Sequence, residues 1–136
     1  MPVKTITVQA PKQGLFEFTH QVENLVSNSQ IQEGLCTLFV RHTSASLLIQ
    51  ENADPSAKRD LENWLNRLVP EHDSLYTHIS EGADDMPSHI KSTLTATHLS
   101  IPILNGQLAL GTWQGIFLWE HRYHGGNRSV VIHIGE

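Results

Sequence analysis

Apolar and polar residues alternate with two different periods along this chain, and the changes of period divide it into elements. Near the amino terminus, Val3 and Thr5 fall on one phase and Lys4, Ile6 and Val8 on the other, which predicts a strand over residues 2–10 broken by Gln13-Gly14. Phe18, Val22, Leu25 and Val26 then recur at helical spacing and predict a helix to about residue 28. The run LCTLFV begins a buried strand over 35–41, rich in apolar, aromatic and β-branched side chains. Leu61, Trp64, Leu65 and Leu68 form the stripe of an amphipathic helix over 55–69, with Asp54 as N-cap, Pro55 at the first helical position and Val69-Pro70 as the stop. A short helix is predicted over 87–95, started by Met86-Pro87-Ser88. Residues 99–104 read as a strand, Asn105-Gly106 as a two-residue hairpin turn, and 107–122 as a long returning strand. Gly111 and Gly115 mark a bulge or a close backbone approach within that last strand. After the turn His124-Gly125-Gly126-Asn127, a final strand over 128–134 puts Val130, Ile132 and Ile134 on one face and His133 on the other. Strands at both ends with two main helices and one short helix between them indicate an α+β fold with a largely antiparallel sheet.

Length fits one domain spanning 1–136, with no repeat, linker or low-complexity segment. A net charge of −5 argues against a nucleic-acid-binding surface, which would show a basic stripe. No stretch approaches the roughly 18 apolar residues that span a bilayer. The first ten residues lack the apolar block of a signal peptide and read as the start of the mature protein. Cys36, the single cysteine, lies inside an apolar run and reads as a small buried hydrophobe, which suits a cytoplasmic protein. Histidine is over-represented: nine residues equal lysine and arginine together, so the ligands must be sorted from the rest. His20 lies off its helix stripe and reads as solvated, and His72 has no partner in sequence.

Two polar clusters carry candidate chemistry. Residues 76–92, YTHISEGADDMPSHIKS, combine His78 and His89, nitrogen ligands suited to zinc, with the hard oxygen ligands Glu81, Asp84 and Asp85. Residues 41–60, RHTSASLLIQENADPSAKRD, place His42, Thr43, Ser44 and Ser46 just beyond the predicted strand, where loops at a sheet edge carry function. The bland alternatives are a solvated loop for the first cluster and simple capping for Asp54 in the second. Trp113 is a core residue or a stacking platform beside the Gln114 amide, and Arg122 and Arg128 are phosphate partners or members of ion pairs.

The segments HTSASLLIQENADP (42–55), EGADDMPSHIKS (81–92) and LGTWQGIFLWEHR with HGGNR (110–128) together resemble the YjbQ family, whose members are labelled secondary thiamine-phosphate synthase enzymes. The resemblance covers nearly the whole chain. It implies a compact mixed β-sandwich assembled as a homotrimer, with His42, Asn52, Asp54, His78, Glu81, Gly82, His89, Trp113 and Gln114 as the family's polar positions. It further implies that His42, His78 and His89 converge on a metal with an open position, as in a catalytic zinc site. The implied activity joins a pyrimidine diphosphate to a thiazole phosphate with loss of diphosphate, an alkyl transfer in which a cation neutralises the leaving group. In that reading Asp54, Asp84 and Asp85 hold magnesium, while Asn52, Ser88, Lys91, Trp113, Gln114, Arg122 and Arg128 bind substrate. One alternative is a metal-dependent hydrolase of a small phosphorylated or acyl substrate, with water on the histidine-bound metal and Glu81 or Asp54 as base. Another is a non-catalytic trimeric metal- or metabolite-binding module. Finally, the apolar density of Trp113 and residues 116–119 predicts that both faces of that strand are covered, one by the core and one partly by another subunit.

Overall fold

A computed structural model describes residues 3–136; Pro2, the predicted start of the first strand, lies outside them. The element order is β1 (Val3–Ala10), β2 (Gly14–Glu17), α1 (Thr19–Ser29), β3 (Glu33–Val40), β4 (Ala45–Glu51), α2 (Pro55–Leu68), α3 (Asp85–Leu94), β5 (His98–Leu104), β6 (Gln107–Leu108), β7 (Gln114–Glu120) and β8 (Gly126–Gly135). Two antiparallel sheets form an α+β sandwich: a five-stranded sheet ordered β1-β8-β3-β5-β6 and a three-stranded sheet ordered β2-β7-β4.

Period-two alternation builds the main core. Val8 and Ala10 of β1, Cys36, Leu38 and Val40 of β3, Ile101 and Ile103 of β5, and Val130, Ile132 and Ile134 of β8 meet Ala45, Leu47, Ile116 and Leu118 from the smaller sheet. Val22 and Val26 of α1 enter the same core. Cys36 is fully buried in β3, flanked by β5 and β8, and burial pushes its thiol up to about 11.

On its other face the smaller sheet carries Leu15, Phe117 and Trp119, which pack with Leu65 and Val69 from α2 and its cap, and with Ile90 of α3. Both faces of β7 are therefore covered within one chain. This corrects the expectation of a neighbouring subunit there: α2 supplies the cover. The outer face of the larger sheet has no such lid among the described residues, and Leu35 and Phe39 of β3 stand about half exposed on it.

The predicted long strand over 107–122 is two strands in different sheets. β6 pairs with β5, the chain then crosses over, and β7 pairs with β2 and β4. Two strands were not anticipated: β2 follows directly on the predicted break, and β4 occupies ASLLIQE, within the stretch read as a polar site loop. His20 is solvent-exposed, and His133 faces outward, opposite Val130, Ile132 and Ile134.

Candidate metal centre

Three donor groups converge at the start of α3. Asp85 and His89 lie four residues apart on the helix, hence on one face, and the loop after α2 brings His78 over them. His78 Nε2 lies 3.0 Å and His89 Nε2 3.2 Å from the same oxygen, Asp85 Oδ2. One ligand atom from each of the three residues lies within 4.8 Å of the others. The ring centroids of His78 and His89 are 5.5 Å apart. Asp85 is almost fully buried, His89 is partly covered and His78 about half exposed, so the cluster is walled on one side and open on the other.

Neighbouring groups orient each donor. His89 Nδ1 lies 3.0 Å from the Thr43 carbonyl oxygen, which can only accept, so Nδ1 carries hydrogen and Nε2 is the ring atom left to face Asp85 or a cation. Two imidazole nitrogens aimed at one carboxylate oxygen are chemically suited to a cation between them. The other Asp85 oxygen, Oδ1, accepts from Arg122 Nη1 at 2.7 Å. Arg122 also donates from Nε to Asp84 Oδ2 at 3.0 Å and from Nη2 to the Glu81 carbonyl at 2.9 Å. It thus clamps the 81–85 turn, in which Gly82 takes a φ of 109°, a conformation side-chain-bearing residues rarely adopt. Burial alone would raise Asp84, but the Tyr123 N–H and the Arg122 guanidinium hold its carboxyl below the usual range. Glu81 is exposed, with Oε1 3.9 Å from His78 Nε2.

His42 does not join this cluster within the chain. Its Nε2 accepts from the Ser129 N–H at 2.8 Å, and Nδ1 lies 3.2 Å from Arg128 Nη1. The β3–β8 register sets Val40 opposite Val130, which puts His42, two residues beyond β3, beside the start of β8. Burial and the nearby Arg128 charge lower its pKa. Within one chain, the donors that meet are two histidines and Asp85 rather than three histidines. Asp85 stood in the sequence as a hard oxygen ligand of the 76–92 cluster and as a magnesium candidate; placing the helix start at Pro87 rather than Asp85 hid that it shares a helix face with His89.

The other anticipated residues serve mostly structural ends. Asp54 caps α2, its Oδ1 accepting from Ser56 N and Ser56 Oγ, and those two bonds lower its pKa. Asp84 is held by Arg122 and Tyr123, so the Asp54–Asp84–Asp85 magnesium set is not assembled. Ser88 is buried and donates to the Asp84 carbonyl. Lys91 is buried and donates to Asn66 Oδ1 at 2.5 Å; burial lowers its pKa, against the charges of Glu71 and Asp84. Arg128 is buried in a bidentate pair with Glu120, Nε–Oε1 at 2.6 Å and Nη2–Oε2 at 2.5 Å. Asn52 donates its side-chain N–H to Glu17 and its backbone N–H to the Trp113 carbonyl, and Gln114 Oε1 accepts from the Gly111 N–H. These bonds bring the 52 and 111–114 segments together at the end of the smaller sheet. Trp113 is exposed there, not core.

Sequence reasoning also passed over His121. It is buried, with Nε2 2.9 Å from Ser46 Oγ, and burial together with the Lys91 and Arg128 charges lowers it to about 3. It lies one residue beyond β7, whose residues from Gly115 to Glu120 are all buried.

The family model for YjbQ-like UPF0047 proteins matches residues 4–136. A UPF0047 protein of Synechocystis is 50% identical over 129 residues, covering 95% of this chain and 88% of that relative. The UPF0047 protein YjbQ of Escherichia coli O157:H7 is 45% identical over 129 residues, covering 94% and 93%. Among solved structures, an uncharacterized YjbQ/UPF0047 family protein from Clostridium acetobutylicum superposes with a TM-score of 0.89 at 32% identity, covering 97% of this chain and 99% of that one. A conserved hypothetical protein from Thermus thermophilus gives 0.86 at 36% identity, with the same coverage.

Proposed function

This chain belongs to the YjbQ-like UPF0047 family, and we propose that its His78–Asp85–His89 cluster holds a divalent metal and makes it a metal-dependent hydrolase of a small phosphorylated or acyl substrate. The observation that carries the reading is the convergence of three donor atoms within 4.8 Å, with His89 oriented by Thr43 through Nδ1 so that Nε2 faces the cluster. Two imidazoles and one carboxylate, with a position left open, form a donor set that suits catalytic zinc. A bound divalent ion supplies Lewis acidity and makes water acidic enough to act as a nucleophile near neutral pH.

The chain's own groups do the rest. Glu81, exposed beside His78, takes the proton from the attacking water. Arg122 holds Asp85 in one orientation through Oδ1, leaving Oδ2 directed at the histidines. A cavity of about 410 Å³ adjoins His78 and is lined by Tyr76, Ile79, Gly82 and Met86 among others, which gives a substrate an apolar wall to lie against.

The synthase chemistry implied by the family resemblance is the second reading, and the open position of the cluster favours it, since a metal there could receive diphosphate oxygens. Against it, Arg122 and Arg128 are both engaged by carboxylates and Lys91 is buried. Metal content and zinc affinity are measured first, by elemental analysis and calorimetry, on the wild type, His89→Ala and the exposed-histidine control His20→Ala. The reading expects zinc affinity to fall at least about tenfold in His89→Ala and to hold in His20→Ala. Equal affinities in all three sink the metal. The metal-loaded protein is then assayed on phosphate esters, on carboxylic esters, and on the pyrimidine diphosphate and thiazole phosphate pair. Turnover of the pair alone establishes the synthase; metal binding with no turnover leaves a binding module.

Assembly is part of the same reading. The uncovered face of the larger sheet, with Leu35, Phe39 and Val131 on its central strands, seats a second copy of the chain in the homotrimer that the resemblance implies. A cytoplasmic setting accords with the single buried cysteine, and no helix among the described residues is long and apolar enough to cross a membrane.

A further inference from the structure

A cleft of about 920 Å³ opens between β1, the β1–β2 turn, β2 and the first two turns of α2. It shares no lining residue with the His78–Asp85–His89 cluster. Three of the chain's nine lysines and arginines line it: Lys12, Lys58 and Arg59. That concentration stands out in a chain of net charge −5.

The hydrogen bonding around the cleft separates the charges. Two carboxylates also line it, each held through one oxygen by neutral donors, so three cations face two anions there. Glu17 Oε2 accepts from Thr19 Oγ1 at 2.8 Å and from Asn52 Nδ2 at 3.0 Å. Glu62 Oε1 accepts from the Leu15 N–H at 3.1 Å. The lysine and arginine ion pairs among the described residues belong to Arg122 and Arg128, so none of the three cleft cations has a carboxylate partner. The Lys58 ammonium sits 5.9 Å from the ring centroid of the buried Phe117, which fixes its place without neutralising it. Arg59 lies near enough to Asp54 to help lower its pKa, yet the Asp54 carboxylate already accepts twice from Ser56. The helix terminus adds little, because Pro55 has no N–H and the Ser56 N–H is capped. The attraction for an anion therefore rests on side-chain charge.

We propose that this cleft is a binding site for a small organic phosphate, a phosphomonoester or diphosphate held by Lys12, Lys58 and Arg59. Arg59 provides a planar fork for two phosphate oxygens and the lysines provide point charges. The volume matches that of small-molecule sites, which run from about 300 to 1,000 Å³. The site does not depend on the metal cluster, and the two proposals stand or fall apart.

Inorganic diphosphate is the probe, titrated calorimetrically into the full chain with a chelator present so that no metal bridges the anion. The expected result is saturable binding that weakens at least about tenfold in Lys58→Gln/Arg59→Gln and weakens measurably in Lys12→Gln. Arg67→Gln, an exposed cation on the same helix outside the cleft, should change affinity less than about twofold. His89→Ala should bind diphosphate as the wild type does, which separates this test from that of the metal. No saturation at millimolar diphosphate, or an equal loss in Arg67→Gln, overturns the proposal. If the double variant fails to fold, Lys12→Gln, on an exposed turn, decides the question alone.

Discussion

The burial of His121 should add to the acid sensitivity of the protein by an amount that a single substitution can isolate. Its folded pKa is depressed to about 3, first by desolvation and then by the Lys91 and Arg128 charges, against an ordinary value near 6.5. The sign follows from proton uptake. Below pH 6.5 an unfolded chain protonates this histidine, while the folded chain does not until about pH 3. Stability from keeping the ring neutral is complete above pH 6.5 and is lost as pH falls toward 3. At pH 5 the unfolded state has gained about 1.5 units of protonation advantage, roughly 2 kcal/mol. Only 1% of the residue is exposed, so solvent screening does not reduce this much. The perturbation is His121→Gln, which keeps an amide near Ser46 Oγ and removes the titration. Urea unfolding of both proteins at pH 7, 6 and 5, at one protein concentration, gives the differences. Between pH 7 and 5 the wild type should lose about 2 kcal/mol more than the variant. Parallel losses, within about 0.5 kcal/mol, would mean that the ring protonates in the fold without penalty and that the argument from burial is wrong.

Other perturbations test other parts of the structure. Arg122→Gln removes the clamp on Asp84, Asp85 and the Glu81 carbonyl; zinc affinity should fall about 10–100-fold in calorimetry while circular dichroism stays native. Glu120→Gln leaves the buried Arg128 guanidinium without its counter-charge, so unfolding free energy should drop by about 3–5 kcal/mol, and the paired change Glu120→Leu/Arg128→Leu should recover much of the loss. Phe39→Glu places a charge on the uncovered sheet face; the proposed homotrimer predicts that light scattering gives a trimer for the wild type and a monomer for this variant, with the secondary structure intact.

How far the sequence could be read depended on whether an element's chemistry was local. The stripe of α2 and its Asp54 cap, the alternation of β8 and the buried Cys36 each follow from a few neighbouring residues, and the structure has all of them. β4 was hidden because its strand residues follow His42, Thr43 and Ser44, whose polarity suggests a loop; only pairing with β7 shows that ASLLIQE is a strand. The stretch over 107–122 looked continuous because nothing local says that β6 and β7 pair in different sheets. The same limit acted on the site. His78 and His89 were evident as candidate ligands, but whether His42 meets them or Arg128 is decided by the β3–β8 register, which places it beside Ser129. Arg122 and Arg128 are free phosphate partners or ion-pair members according to which carboxylates fold against them, and Asp84, Asp85 and Glu120 do so from elsewhere in the sequence or from the turn before.

The position of Cys36 makes the protein its own unfolding gauge. A thiol reacts as thiolate, and this one is both sealed from solvent and held in the protonated form, with a pKa near 11. β3 runs between β5 and β8, so reagent reaches the sulfur only when the larger sheet comes apart. With no second cysteine to compete, the alkylation rate of the native chain, divided by that of the denatured chain, equals the fraction of time the sheet is open. A ligand that binds the folded chain more tightly than the opened one must slow that clock in proportion to its occupancy.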